Sequence, residues 1–317
     1  MVFIMKNTKI NVSVIIVNYN NCMLLRNCLN SIINQTKDIT YEVIVADNAS
    51  KDNTVKMIET EFQEVVLIKL QKNVGFGRAN NAALEKARGE FVLYLNNDTI
   101  FLNNVLKIFY DYWKSHENES LGAIGCVLVN GLGETIHSGG KLLGYQDILR
   151  KQFKRIVKNC FKTIIRLTNT KDVVRKMIWA SNYENVRPGD VEYVTGADLF
   201  VRNNSYARFD SNYFMYFEDA DLQIRMKEHG FKSRLITGPE IVHYTKKENP
   251  EMQLAFLTDV YFQISSIYYL KKNFHQNCRL LKILIKADWI NPYMKNIVTS
   301  ALEQIKKGKY RDETNCK

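Results

Sequence analysis

No stretch of the 317-residue sequence approaches the ~20 consecutive apolar residues that a membrane-spanning helix needs. The opening MVFIMKNTK is too short for the apolar core and cleavage site of a signal peptide. The expectation is therefore a cytoplasmic chain that neither crosses a membrane nor is exported. Its six cysteines (Cys22, Cys28, Cys126, Cys160, Cys278 and Cys316) form no C-x-x-C pair. Without a secretory segment they read as free thiols in a reducing compartment, not a disulfide frame or a zinc site. There is no internal repeat and no low-complexity tract. The Gly-containing segment at 73–81 is neither a G-x-G-x-x-G dinucleotide loop nor a G-x-x-x-x-G-K-[ST] phosphate loop.

What is present is ordinary for a soluble globular protein: 46% hydrophobic and 24% charged residues. The length suits one large domain, or one domain with an appendage. The net charge of +11 is unevenly placed, because residues 141–180 hold eleven Lys/Arg against Asp147 and Asp172. The basic character belongs to that segment, and the remainder is near neutral.

The N-terminal third alternates regularly. Val12–Val17 is a continuous β-branched run, as a strand buried on both faces requires. Leu24–Ile33 has helical apolar spacing, and Tyr41–Ala46 is a second buried strand. Ser50 is placed to N-cap a helix running to about Phe62. Val65–Lys69 reads as a strand, Gly77–Ala87 as a helix and Phe91–Leu95 as a fourth strand. This alternation predicts a doubly wound, mostly parallel sheet. Further on, Asn103–Lys114 reads as a helix and Ala123–Val129 as a strand. Val191–Arg202 is strand-like around Thr195-Gly196-Ala197, Asp221–Glu228 is a helix closed by Gly230, and 251–310 holds several helices.

In open α/β sheets ligands bind beyond the carboxyl ends of the strands. Polar residues gather at those ends here: Asn18-Tyr19-Asn20, Asp47-Asn48, Asn73 and Asn96-Asn97-Asp98. A single carboxylate with phosphate oxygens and water suits a hard cation such as Mg²⁺ or Mn²⁺, although Asn and Asp are also turn residues. Glu218-Asp219-Ala220-Asp221 sets three carboxylates beside Tyr213, Phe214, Tyr216 and Phe217. A carboxylate against apolar rings can serve as a general base, and acidic residues also favour a helix N-terminus. On that reading Asp221 caps while Asp219 does chemistry. Arg78 and the backbone N–H groups of Asn73–Asn81 suit phosphate or nucleobase contact. His243 is a lone histidine, compatible with a structural role or with metal ligation.

Seven segments in order, VSVIIVNYN, EVIVADNASKDNT, NVGFGRANN, FVLYLNND, VTGADLFVR, FMYFEDADLQIRMKEHG and IVHY, resemble the inverting family 2 glycosyltransferases with a GT-A fold. The nearest flavour is the bacterial rhamnosyltransferase-like branch that builds surface polysaccharides. The resemblance covers about residues 10–245 and implies a GT-A domain there, with a basic insertion at 141–180 and a C-terminal helical region at 246–317. It implies transfer of a sugar, rhamnose among the candidates, from a dTDP- or UDP-linked donor to a glycan or lipid-linked hydroxyl. It further implies that Asn18 and Asp47 contact the nucleoside, with Asp47 reading the base, and that Arg78 helps to hold the nucleotide. Asn96-Asn97-Asp98 stands where the family has D-x-D, so Asn96 and Asn97 lie by the donor and Asp98 binds Mn²⁺ or Mg²⁺. Asp219 corresponds to the general base, and His243 completes the metal or diphosphate site.

Two departures bear on this. Asn96 replaces the first D-x-D carboxylate, and Ala207-Arg208-Phe209-Asp210-Ser211 stands where the family often has Gly-Gly-Phe-Asp-Glu. The second makes the acceptor loop this chain's own. A sugar nucleotidylyltransferase would carry a Gly-rich, basic loop after the first strand, where Asn18-Tyr19-Asn20-Asn21 stands instead. A non-catalytic nucleotide-sugar-binding protein would have lost Asp98 or Asp219. Nucleic-acid binding is not expected, because the basic segment holds only Phe153 and Phe161 in its middle.

From Ile148 to Leu167 apolar residues recur at three- and four-residue steps with Lys/Arg between them. This predicts a basic amphipathic helix with a wide apolar face. That face either packs on the C-terminal helices or lies on an anionic membrane surface, which would place the protein peripherally on the inner leaflet.

Overall fold

The computed structural model describes residues 9–168, 186–244, 257–291 and 294–309. Its first half runs β1 (Val12–Asn18), α1 (Cys22–Gln35), β2 (Tyr41–Asp47), α2 (Thr54–Glu61), β3 (Val66–Lys69), α3 (Phe76–Leu84) and β4 (Phe91–Asn96). These four strands are parallel, in the order β3-β2-β1-β4. Helices cover both faces, which is why β1, β2 and β4 are almost wholly apolar, with the buried Ser13 of β1 hydrogen-bonded to Glu42 of β2. Leu25, Cys28, Leu29 and Ile32 of α1 pack on Val12, Val14 and Ile16. Ala79 and Ala83 of α3 pack on Ile15, Ile44 and Ala46 from the other side.

The chain continues through β5 (Thr99–Phe101), α4 (Val105–Ser115), β6 (Leu121–Cys126), β7 (Gly139–Gly140), α5 (Tyr145–Thr168), β8 (Gly189–Val191), β9 (Tyr193–Val194) and β10 (Asp198–Arg202). It closes with α6 (Glu218–Glu228), β11 (Lys232–Ile236), β12 (Ile241–His243), α7 (Leu257–Phe274), α8 (Arg279–Ile290) and α9 (Lys295–Lys309). Strand β10 inserts antiparallel between β4 and β6, and β11 and β8 extend the sheet to eight strands. The result is the mostly parallel sheet expected, with its helical insertion and helical C-terminal region.

Local expectations are corrected in three places. Ser50 does not cap α2, which begins at Thr54 after Asn53. Its hydroxyl instead accepts the Asn20 N–H (2.9 Å) and its N–H donates to Asp47 (3.0 Å), fixing the loop after β2. The strand expected at Ala123–Val129 ends at Cys126. The third correction concerns α5. It packs on the C-terminal helices, but the buried residues among its described side chains are Ile148, Gln152 and Asn159, with Arg155 ion-paired to Asp259 at 3.3 Å. Gln152 accepts from Gln263 (3.0 Å) and Asn159 donates to Asp288 (2.9 Å). Both buried amides are thus hydrogen-bonded, although Gln152 Nε2 has no partner among the described residues. Phe153 and Val157, assigned to the apolar face by spacing, are exposed. The part of the basic segment at 169–185 lies outside the described residues.

Candidate active site

The carboxyl ends of β1, β2 and β4 open into a cleft of about 710 Å³. At the end of β4 the chain turns through Asn97 and Asp98 into β5. Strand β5 pairs antiparallel with β12, in a register that sets Thr99 opposite His243. His243 Nε2 thereby lies 3.1 Å from Asp98 Oδ1 and 3.3 Å from Asn96 Nδ2. Asn97 Nδ2 donates to Asn18 Oδ1 (2.6 Å), and Asn18 Nδ2 donates to Thr54 Oγ1 (3.0 Å). Asn18 is thus fully buried and anchors Asn97, which itself lines the cleft.

Asp47 is buried as well. Its Oδ2 accepts the Ser50 N–H, while Oδ1 has no hydrogen-bond partner. A buried acceptor left unsatisfied is costly, so a donor N–H supplied by a ligand fits this atom. The neighbouring Asn48 shapes the next loop: its amide donates to Asn73 (3.0 Å) and accepts the Val74 N–H (2.9 Å). Gly75 then takes φ +89°, where a Cβ would sit 2.2 Å from the Phe214 carbonyl oxygen. Glycine is required there on both counts. Its freedom lets the Phe76 N–H donate to that carbonyl (2.8 Å) and brings the Phe76 ring into the cleft.

Across the cleft stands the N-terminus of α6. Tyr216 and Phe217 precede it with φ of +73° and +69°, a conformation that non-glycine residues adopt rarely and that collects at functional sites. It is held by packing: the Phe217 ring lies 4.6 Å from Tyr269 and 4.9 Å from Phe262. This turn delivers Glu218 and Asp219 to the cleft. Asp219 Oδ2 accepts the Gly196 N–H (3.0 Å) and Oδ1 the Ala220 N–H (2.8 Å). Burial raises its pKa above the ordinary carboxylate value despite those two bonds. Burial, with the charge of Asp219 second, raises Glu218 also.

Asp221 does not cap the helix. It is fully buried, accepts from Tyr213 Oη (3.1 Å) and Asn273 Nδ2 (3.0 Å), and pairs with Lys272 (2.8 Å) and Arg225 (3.3 Å). It ties α6 to α7. Removing one member of a buried ion pair leaves its partners uncompensated, so Asp221→Ala is expected to cost about 3 kcal/mol of stability. Urea unfolding measures it, and a loss below about 0.5 kcal/mol, the ordinary range for a surface substitution, would remove the anchoring role.

The structure brings Asn96, Asn97, Asp98, Asp219 and His243 to one cleft, with Asn18 and Asp47 buried behind it at the carboxyl ends of β1 and β2. It does not bring Arg78 into the lining: Arg78 Nε donates to the Ser211 carbonyl (2.7 Å). That contact, with the Asp210–Lys272 pair (2.6 Å), ties α3 and α7 to the 207–211 loop. Sequence reasoning missed His137, Tyr193 and Lys151, which also line the cleft. His137 Nε2 and Tyr193 Oη lie 2.7 Å apart. The one local sign of this wall was the Gly139-Gly140 pair, which forms β7 against β9.

No group of three His, Cys, Asp or Glu gathers to hold a metal among the described residues. Asp98 and His243 nonetheless fit a divalent ion as two donors, since neighbouring ligands at about 2.1 Å on an octahedral cation stand about 3 Å apart. Phosphate oxygens and water would complete the shell.

Residues 13–170 match the glycosyl transferase family 2 model. The chain is 28% identical over 294 residues to the uncharacterized glycosyltransferase YfnE of Bacillus subtilis (strain 168), covering 80% of this chain and 71% of YfnE. It is 34% identical over 129 residues to the poly(ribitol-phosphate) beta-N-acetylglucosaminyltransferase TarP of Staphylococcus aureus (strain N315), 39% of each chain. Among solved structures, the mannosyltransferase PcManGT from Pyrobaculum calidifontis, in complex with GDP-Man and Mn²⁺, superposes with a TM-score of 0.53 at 17% identity. That match covers 95% of this chain and 76% of PcManGT. S. aureus TarS 1-349 in complex with UDP gives 0.51 at 15% identity, over 95% and 93%. The fold is GT-A.

Proposed function

We propose that the chain, whose residues 13–170 match the glycosyl transferase family 2 model, moves a sugar, with inversion, from a dTDP- or UDP-linked donor to an acceptor hydroxyl. Rhamnose is the donor sugar we favour, by resemblance to surface-polysaccharide enzymes. The acceptor is a growing surface glycan or its lipid-linked precursor, met on the cytoplasmic face of the membrane. The observation that carries the reading is that Asp219 and the Asp98–His243 pair open into the same cleft.

Asp219 takes the proton of the acceptor hydroxyl, and its raised pKa suits it to that work. The acceptor oxygen bonds to the anomeric carbon on the face opposite the diphosphate. The carbon–oxygen bond to the diphosphate breaks, its electron pair leaves with the diphosphate oxygen, and the anomeric centre inverts. Asp98 and His243 would hold Mn²⁺ or Mg²⁺, whose charge offsets that of the departing diphosphate. Asp47 receives an N–H of the base, Asn18 holds Asn97 against the donor, and Asn96 lies beside it. Arg78 acts from outside the lining, through the Ser211 loop it fixes. The acceptor half is walled by aromatic side chains, Tyr193, Tyr216, Phe262 and Tyr269 among them. Such rings offer apolar faces with polar edges, which suits a sugar or polyol.

A panel of nucleotide sugars, read by release of nucleoside diphosphate, tests the proposal. One dTDP- or UDP-sugar is expected to give release that an acceptor glycan stimulates. Release from none overturns the proposal, and formation of nucleoside triphosphate from a nucleotide sugar and pyrophosphate would indicate a nucleotidylyltransferase.

A further inference from the structure

Helix α8 turns Leu281, Ile285 and Asp288 inward. Leu281 and Ile285 join the apolar cluster around Tyr213, Phe217 and Tyr269. Asp288 accepts from Asn159 of α5 (2.9 Å) and Gln263 of α7 (2.8 Å). The helix is thereby fully anchored by one side. Its other side carries Leu280, Ile283 and Ile290 at 52%, 63% and 80% exposure, flanked by exposed Arg279, Lys282 and Lys286. At about 100° per residue all six fall on the outward half of the helix. The one acid of α8, Asp288, points inward, so the outward half holds positive charge only.

Scattered exposed aliphatics are normal on a protein surface. Three large ones on one short helix, framed by unopposed cations, are the composition of an interfacial helix, with aliphatics for the acyl boundary and lysines for anionic headgroups. The neighbouring α5 repeats it: Phe153 and Val157 are exposed near Arg150 and Lys154, also exposed. Lys151 of the same helix lines the cleft.

We infer that the outward face of α8, with α5 beside it, seats the protein on an anionic lipid leaflet and so holds the cleft near its acceptor. The charge of the face selects the occupant, since a neutral apolar partner would leave the cations without counter-charges. This deepens the reading of a lipid-linked acceptor, and it moves the contact from the face of α5 that sequence spacing suggested to α8.

The test is co-sedimentation of the full chain, without nucleotide sugar, with vesicles of phosphatidylcholine alone or mixed with phosphatidylglycerol. Binding is expected to the mixed vesicles at low salt, weakened at high salt and absent with phosphatidylcholine alone. Replacing Arg279, Lys282 and Lys286 together by Gln is expected to weaken binding more than tenfold, at roughly fivefold per basic residue. Ile283→Ser with Ile290→Ser should weaken it too, without changing the thermal midpoint or the release of nucleoside diphosphate. Indifference to anionic vesicles, or variants that bind like the parent, overturns the inference. So does a dimer in solution that the Ile283→Ser, Ile290→Ser variant splits, which would assign the face to a second copy. A chain that releases nucleoside diphosphate yet ignores vesicles removes the membrane face alone. One that binds vesicles but is inert to every nucleotide sugar removes the transferase reading alone.

Discussion

Asp219→Asn is expected to lower turnover by about 10²–10⁴-fold, the usual contribution of a positioned general base, while donor affinity changes little. The substitution keeps the shape of the side chain but leaves one oxygen to accept where two now serve Gly196 and Ala220. A loss of about 1 kcal/mol of stability is expected alongside, well short of unfolding. The pH profile gives a second reading. Asp219 must be deprotonated to act, and burial holds its pKa above the ordinary carboxylate value. Activity should therefore fall on acidification at a higher pH than the ~4 of a free carboxylate. In the variant that limb should vanish from the residual rate. Turnover within a few-fold of the parent, with the acid limb unmoved, would remove Asp219 from the base role.

Chelation by EDTA is expected to abolish transfer, and added Mn²⁺ or Mg²⁺ to restore it. Asp98→Ala should stay inactive at any metal concentration, because it removes the sole carboxylate the Asn96-Asn97-Asp98 turn presents to the cleft. His243→Ala is expected to be milder and to raise the metal concentration needed, since it leaves Asp98 and the phosphate oxygens in place. Donor binding in the presence and absence of metal, followed by calorimetry, reads the same site apart from turnover. Full activity of the parent in chelator would show that Asp98 and His243 act on the diphosphate without an ion.

The first half of the sheet was legible because its physics is local. Strands buried on both faces need continuous apolar runs, and the runs at β1, β2 and β4 leave no other assignment. The polar strand ends followed from the same pattern, and with them Asp47 and Asp98. Glu218-Asp219 was visible as charge set among aromatic rings. The backbone that aims it was not: the left-handed Tyr216 and Phe217 depend on Phe262 and Tyr269, which arrive some fifty residues later.

Where the sequence misled, long-range pairing had overridden local pattern. Spacing sends Gln152 and Asn159 to the outside of α5 and Phe153 to the inside. The fold reverses this, because Gln263 and Asp288 supply hydrogen bonds that only the packed helices can offer. Asp221 looked like a helix cap because it lies in an acidic first turn. Lys272, on a helix the local window does not contain, makes it a buried anchor instead.

The sequence by itself thus determined the parallel sheet and its polar strand ends, and it singled out the two carboxylates, Asp98 and Asp219, that the proposed chemistry turns on. Each is written in neighbouring residues, through periodicity, turn chemistry and charge beside aromatics. Only the tertiary structure decided that His243 stands against Asp98, that Asn18 is a buried support, that Arg78 stays out of the cleft lining, and that α8 keeps an apolar, basic face outward. Each of these follows from the register of a distant strand or the docking of a distant helix, and neither is encoded within the span of one element.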